Sequence, residues 1–415
     1  MANRIRTVAI IGGGPGGASL GALLAREGYT VGIFHSDKRP PLIVGESLLP
    51  AVVPMLRTLG IEDEVKSFSV HKPGATVCLA VDEVITALFR WADGRLPDYA
   101  YNTPRDLFDA AVLNAAERAG ARIFKTSAGL EKGDVAGAVR LSRETLEKTG
   151  GCFSDQPDLI VDGSGRTRLI SKLLEAPVKR GGRDDVALFA HLSKATITDP
   201  GNIHIDHLSK GWSWRIPLPG RVSVGIVINP KHLEKYGSGI ETQYDSYIRD
   251  EPSLKVYTEG SARLTPVVKY RNYQLISGKM SGPGWAMVGD AAGFIDPVFS
   301  TGLYLSMKGA FKLFDAIQSG TAGAMRTYEK AMNWEFRHWR RVIDSWYNGR
   351  LFNSYRVGQK QKALPFGLRV EAHVQKHLVR IFTGQAVEDF YSRRLFGHLT
   401  TVSALMRSPK DLVVM

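Results

Sequence analysis

Thr7-Val8-Ala9-Ile10-Ile11-Gly12-Gly13-Gly14-Pro15-Gly16-Gly17 is the stretch on which the fold turns. Thr7 to Ile11 is β-branched and almost wholly apolar, the pattern of a buried parallel strand. The glycines behind it place G-x-G-x-x-G at Gly12, Gly14 and Gly17. Ala18 to Glu27 follows with Leu20, Leu23 and Leu24 at helical spacing and Gly28 as a stop, and Thr30 to Phe34 supplies a second strand. Each glycine has a mechanical reason: a tight turn, backbone approach to a pyrophosphate, and close helix–strand packing. The helix N-terminus then offers free N–H groups and a positive dipole end to phosphates. Alone the glycine pattern is weak evidence; strand, glycines, helix and strand in order specify a dinucleotide fold. An acidic ribose contact is expected about 20 residues beyond the glycines. His35-Ser36-Asp37 stands there instead, so either Asp37 supplies the ribose contact from a slightly shifted position or His35 and Ser36 make weaker ones, and the nucleotide is expected to bind loosely.

Composition narrows the partners. A chain of 415 residues, 44% hydrophobic and 23% charged, has the make-up of an ordinary soluble protein with room for two joined domains. It holds no run of 18 apolar residues, and Met1 to Arg6 has no signal-peptide pattern, so the expectation is a cytoplasmic protein without a transmembrane segment. Cys78 and Cys152 stand far apart without metal-ligand spacing, which argues against both a disulfide framework and a metal site. Lys and Arg exceed Asp and Glu by 54 to 41, a net charge of +13. No zinc-finger spacing, RNA-binding aromatic signature or compact basic run accompanies the surplus, so nucleic acid is disfavoured and an acidic protein partner stays open beside a merely basic surface.

Three further segments extend the nucleotide reading. Gly284 to Ala292 is a strand ending in Gly289-Asp290, and Asp158 to Arg166 contains Asp162-Gly163 after another apolar strand. Pro104-Arg105-Asp106-Leu107-Phe108-Asp109 opens a helix. Any one of these is a common strand-end turn. In this order they resemble the motifs of the aromatic hydroxylase-like flavoproteins. That resemblance implies FAD as cofactor, with Asp290 on the ribityl chain and Arg105 and Asp162 as flavin contacts. Only one G-x-G-x-x-G occurs, so reduced flavin is expected from a separate flavin reductase.

Gly211-Trp212-Ser213-Trp214-Arg215-Ile216-Pro217 carries two of only seven tryptophans, and strand alternation aims both indoles the same way. A pair of core indoles is the bland reading. With the flavin motifs, the stretch resembles the W-x-W-x-I-P signature of the flavin-dependent halogenases. Gly45-Glu46-Ser47-Leu48-Leu49-Pro50 is similar to their G-E-S-x-L-P segment, which places Gly45, Glu46 and Ser47 by the flavin. Lys72-Pro73-Gly74-Ala75 is similar to the context of their catalytic lysine, although a lysine by itself reads as a solvated amine. Asp296-Pro297-Val298-Phe299-Ser300-Thr301-Gly302 opens a helix whose first N–H groups, at Thr301 and Gly302, are implied to bind halide.

The resemblance implies that reduced FAD and O2 form a flavin hydroperoxide, which oxidises chloride or bromide to hypohalous acid. Lys72 then presents the acid to an electron-rich ring, while Trp212 and Trp214, with Phe299, keep that ring off the flavin. Tryptophan halogenases carry a glutamate where Phe299 stands. The expected substrate is therefore a phenol or pyrrole, free or tethered to an acyl carrier protein, rather than tryptophan. The fold class expected is α/β: a Rossmann-like FAD-binding domain (1–75, 101–185 and 276–330) with an inserted β-sheet substrate domain (76–100 and 186–275). A helical C-terminal subdomain follows (331–415), basic and rich in aromatic residues. Two rival readings are a flavin monooxygenase that hydroxylates directly, needing neither halide nor Lys72, and an inactive flavin-binding partner in a biosynthetic complex.

Overall fold

The computed structural model describes residues 5–36, 40–80, 82–92, 94–271, 274–360, 367–405 and 412–414. The strand Thr7–Ile11 lies at the centre of a six-stranded sheet whose order is Ser281–Gly282, Trp285–Met287, Leu159–Asp162, Thr7–Ile11, Thr30–Phe34 and Arg122–Phe124. All pairs are parallel except the edge Ser281–Gly282 strand. Val8 to Ile11 are buried on both faces, as a strand covered by helices on each side must be. The helix Pro15–Arg26 begins three residues before the sequence pattern suggested, because Pro15 is preorganised for a first helical position. It packs between the helices Arg105–Arg118 and Thr301–Ser319.

Gly12 shows why the turn needs glycine. Its φ is +114°, and a Cβ there would stand 2.1 Å from the Gly163 carbonyl oxygen. No side chain fits such an approach. This places the ends of Thr7–Ile11 and Leu159–Asp162 side by side, so their loops open on the same space.

A second sheet has seven strands in the order Val268–Tyr270, Val186–Leu192, Arg221–Ile228, Trp212–Leu218, Ile203–His207, Gly74–Ala80 and Glu83–Leu88. It is antiparallel except where Ile203–His207 runs parallel to Gly74–Ala80. Its outer face packs against Tyr244, Tyr247 and Leu254 in a small core of its own. Its inner face, with Trp212, Trp214 and Phe189, joins the core of the nucleotide-binding half. Beneath the tryptophans the polar side chains alternate outward. Arg215, fully buried, grips Asp206 through Nε at 2.9 Å and Nη2 at 2.7 Å, while its guanidinium lies 3.6 Å from the Tyr257 ring. Such a fork satisfies both charges, as burial demands.

After residue 300 the described chain is helical: Thr301–Ser319, Ala324–Tyr347, Arg350–Lys360, Gly367–Thr383 and Phe390–Leu405. The fold is thus a parallel α/β nucleotide-binding unit with an inserted antiparallel sheet and a helical C-terminal region. Among the described residues, no helix is long and apolar enough to cross a membrane, no group of three or more His, Cys, Asp or Glu could hold a metal ion, and Cys78 and Cys152 are free thiols.

Candidate active site

Between the two sheets lies a cavity of about 570 Å³. Gly14 and Gly17 form its floor, and a Cβ on Gly14 would meet nothing within 4 Å, so the backbone there is bare to a ligand. Gly45, Ser47, Arg105, Asp109 and Asp290 line its flank. Trp212 and Trp214 close one wall, and Ser300 and Gly302 reach it from the start of the Thr301–Ser319 helix.

The charges are arranged for a large polar guest. Arg105 bonds Asp109 through Nε at 2.9 Å and Nη2 at 3.2 Å, and its remaining nitrogen reaches the Val44 carbonyl. Burial pushes the Asp290 carboxyl up to about 6, against the pull of Arg105 and Arg166. The Ser47 hydroxyl is buried at the cavity and has no hydrogen-bond partner among the described residues. A buried hydroxyl left this way costs free energy that a bound ligand recovers. Bare glycine backbone at a helix N-terminus, the orphaned hydroxyl and a cavity of this size fit FAD.

Trp212 and Trp214 stand 5.8 Å apart, ring to ring, on the same strand face. Trp214 lies over Gly225 of the adjacent strand, where a Cβ would come within 2.1 Å of Cζ2. Behind Trp212 the aromatic packing continues edge to face through Trp346 at 6.5 Å to Phe299 at 6.1 Å and Phe382 at 5.6 Å. Each such pair contributes roughly 0.5–1.5 kcal/mol beyond its buried area. The wall is therefore stiff.

Lys72 is not a surface amine. It ends the short strand Val70–Lys72, opposite Ala100, and only 1% of it is exposed. Its Nζ donates to the Leu48 carbonyl at 2.8 Å and lies 5.3 Å from the centre of the Phe89 ring. Burial drives its pKa down to about 7. Lys72 does not line the cavity; Ser47, the residue before its carbonyl partner, does. The G-E-S-L segment therefore divides the two: cavity on one side, lysine beside the next carbonyl.

Other residues fall differently from the sequence reading. Asp162 turns away from the cavity: its carboxylate accepts from Ser164 N at 3.0 Å, Ser164 Oγ at 2.6 Å and Ile170 N at 2.8 Å, holding the loop Gly163–Arg166, which does line the cavity. Glu46 is likewise buried away from it, 2.7 Å from His191 Nε2, while His191 Nδ1 accepts from Arg221 Nε at 3.0 Å. Phe299 sits in the aromatic core instead of facing the cavity. Ser36 does not contribute to the lining, His35 packs against Gly13, and Asp37 lies outside the described residues.

At the far end, Ser300 caps the Thr301–Ser319 helix in the left-handed region, with φ +56°. This kink, uncommon for a residue with a side chain, aims the helix start at the cavity. Gly302 lines the cavity and Thr301 is buried beside it. A Cβ on Gly302 would meet the Phe294 ring at 2.6 Å. Tyr270, absent from the sequence reading, also lines the cavity, its ring 4.9 Å from the Arg166 guanidinium. Its only sequence signal was a strand near the domain junction.

A parallel sheet with a glycine-floored cavity at its strand ends defines a nucleotide-binding flavoprotein fold. The family model for an FAD binding domain matches residues 6–149, and that for tryptophan halogenase matches residues 92–384. The chain belongs to the tryptophan halogenase family of flavin-dependent halogenases, and FAD is its cofactor. Among curated relatives, the tryptophan 2-halogenase of Chondromyces crocatus is 28% identical over 82% of this chain and 67% of its own length. A flavin-dependent halogenase of Armillaria mellea is also 28% identical, covering 78% of this chain and 66% of that protein. The chain thus spans about two thirds of these relatives. The 1H-pyrrole-2-carbonyl-[peptidyl-carrier protein] chlorinase of Pseudomonas fluorescens is 23% identical, with 84% of each chain covered. The flavin-dependent brominase Bmp2 shares the fold, with TM-score 0.77, 21% identity, and 98% of this chain and 100% of that chain covered.

Proposed function

We propose that this chain is an FADH2-dependent halogenase that chlorinates or brominates an electron-rich phenolic or pyrrole ring, free or held on an acyl carrier protein. The observation that carries this reading is Lys72: a fully buried amine poised near neutrality, separated from the flavin cavity by Ser47 and Leu48. Bound and reduced, FAD would supply with O2 the oxidising power that turns halide into hypohalous acid. Gly14, Gly17, Gly45, Ser47, Arg105 and Asp290 would hold it.

The halide would sit at the helix start, where the first N–H groups of Thr301 and Gly302 and the dipole favour an anion. Trp212 and Trp214 would exclude the organic substrate from the flavin and leave the small oxidant free to pass. With a pKa of about 7, Lys72 offers both of its forms. As an ammonium it hydrogen-bonds hypohalous acid; as an amine it takes the halogen and releases water. Transfer to the ring then displaces a ring proton. Phe299 provides no base for that proton, which favours a ring whose own oxygen or nitrogen drives the attack. Kinship with a carrier-protein chlorinase and the net charge of +13 support a carrier-bound form.

The test is mass spectrometry of phenolic and pyrrole acids, free and carrier-bound, incubated with the protein, FAD, a flavin reductase, NADH and bromide. A one-bromine isotope doublet is expected. A hydroxylated product formed without halide would assign direct oxygenation instead.

A further inference from the structure

Trp212 and the turn before the Thr301–Ser319 helix are tied together by one side chain from a distant helix. Trp212 Nε1 donates to the Tyr347 hydroxyl at 3.0 Å, and that hydroxyl donates to Asp296 Oδ2 at 2.9 Å. The same carboxylate accepts from Gln274 Nε2 at 3.1 Å and, through Oδ1, from the Val298 N–H at 3.0 Å. Asp296 and Tyr347 are buried, and the Tyr347 ring lies 3.9 Å from the Arg183 guanidinium, which in turn bonds Asp185 at 2.5 Å. Tyr347 is the last residue of the Ala324–Tyr347 helix, directly after Trp346, which packs on both Trp212 and Phe299.

We infer that Tyr347 is a positioning residue that fastens the indole of Trp212 to the Asp296–Ser300 turn, so that the wall of the flavin cavity and the halide-binding helix start hold one fixed spacing. The geometry supports this because a tyrosine hydroxyl can accept one bond and donate another at once. Phenylalanine could do neither. Gln274 braces the turn through Asp296 and, among the described residues, makes no hydrogen bond to Trp212, so it separates the two halves of the link. The inference rests on the reading of Thr301 and Gly302 as the halide site; the mechanical link itself stands apart from it.

The experiment compares Tyr347→Phe with Gln274→Met in the FAD-loaded full chain. Deuterium exchange is followed at residues 208–216 and 296–303. Tyr347→Phe keeps the ring beside Arg183, and is expected to speed exchange about tenfold in both segments, the worth of roughly one hydrogen bond. Gln274→Met is expected to speed it only at 296–303. In the halogenation assay, Tyr347→Phe should raise the bromide KM about tenfold with FAD affinity unchanged, and should lower the product formed per FADH2 oxidised. Exchange confined to the turn in Tyr347→Phe, or unchanged in both segments, would overturn the link. An unchanged bromide KM in a variant whose exchange has risen in both segments would overturn its role at the halide site. Absence of halogenation by the wild-type protein would instead strike the proposed function, leaving the exchange result to judge the link.

Discussion

Lys72 donates its ammonium proton to the Leu48 carbonyl at 2.8 Å, and the residue next to that carbonyl, Ser47, faces the flavin cavity. A short stretch of backbone thus separates the buried amine from the cavity. The lysine is held by a neutral acceptor, with no carboxylate bonded to it among the described residues, which is why burial governs its protonation.

Replacing Lys72 by methionine keeps the length of the side chain and removes the amine. Halogenation is expected to fall at least ~100-fold, in the range for loss of a group acting on the reacting atoms. FAD should still bind, and reduced flavin should still be reoxidised by oxygen. Product formation measured beside stopped-flow flavin reoxidation checks this; a variant halogenating at the wild-type rate would leave Lys72 without a catalytic part.

The same lysine gives a pH signature in stability. Its folded pKa of about 7 lies below the ordinary lysine value of 10.5, so the unfolded chain binds more protons between those values. The penalty for burying it is full below about pH 7 and is relieved as pH rises toward 10. Wild-type stability in urea should therefore gain on Lys72→Met between pH 7 and 9, by up to ~1.4 kcal/mol per pH unit. Near pH 6 the variant should be the more stable protein. Parallel pH profiles would contradict the assignment.

Ser47→Ala removes the orphaned hydroxyl. Without FAD the variant is expected to be as stable as the wild type or more so by ~1 kcal/mol, because an unsatisfied buried group has gone. FAD affinity should weaken about five- to tenfold, as one lost hydrogen bond implies. Calorimetry without flavin and a fluorescence titration with FAD should move in opposite directions.

Gly302→Ala brings a methyl group against the Phe294 ring at the helix start. The bromide KM is expected to rise about 10- to 100-fold, since small displacements at a positioned site are costly. Rates at saturating bromide should recover more than rates at low bromide. An unaltered KM would place the halide elsewhere.

A single glycine fingerprint predicts dependence on another protein for electrons. NADH or NADPH mixed anaerobically with the FAD-loaded chain should leave the flavin absorbance near its starting value for minutes. Adding a flavin reductase should bleach it. Rapid bleaching by the chain alone would reveal a nicotinamide site.

Much of this architecture could be read in advance because it depends on short-range chemistry. The Thr7–Gly17 turn admits glycine for steric reasons local to the chain, and strand alternation was enough to put Trp212 and Trp214 on one face. What could not be read depends on partners remote in sequence. Glu46 meets His191 across 145 residues, and Trp212 meets Tyr347 across 135. Asp162 sits in a matching motif, yet its direction is set by the Ser164 and Ile170 amides, which only the folded loop brings to it. Lys72 was legible as a position; its burial was not.

Trp214 rests over a glycine, and that gives the cavity wall an adjustable footing. Gly225 does not line the cavity, yet a single carbon added there would drive the indole from its seat. A change of substrate range in this lineage could therefore be inherited at a silent neighbour, with every motif tryptophan intact. Comparisons that score only the signature residues would class two such enzymes as alike while they chose different rings.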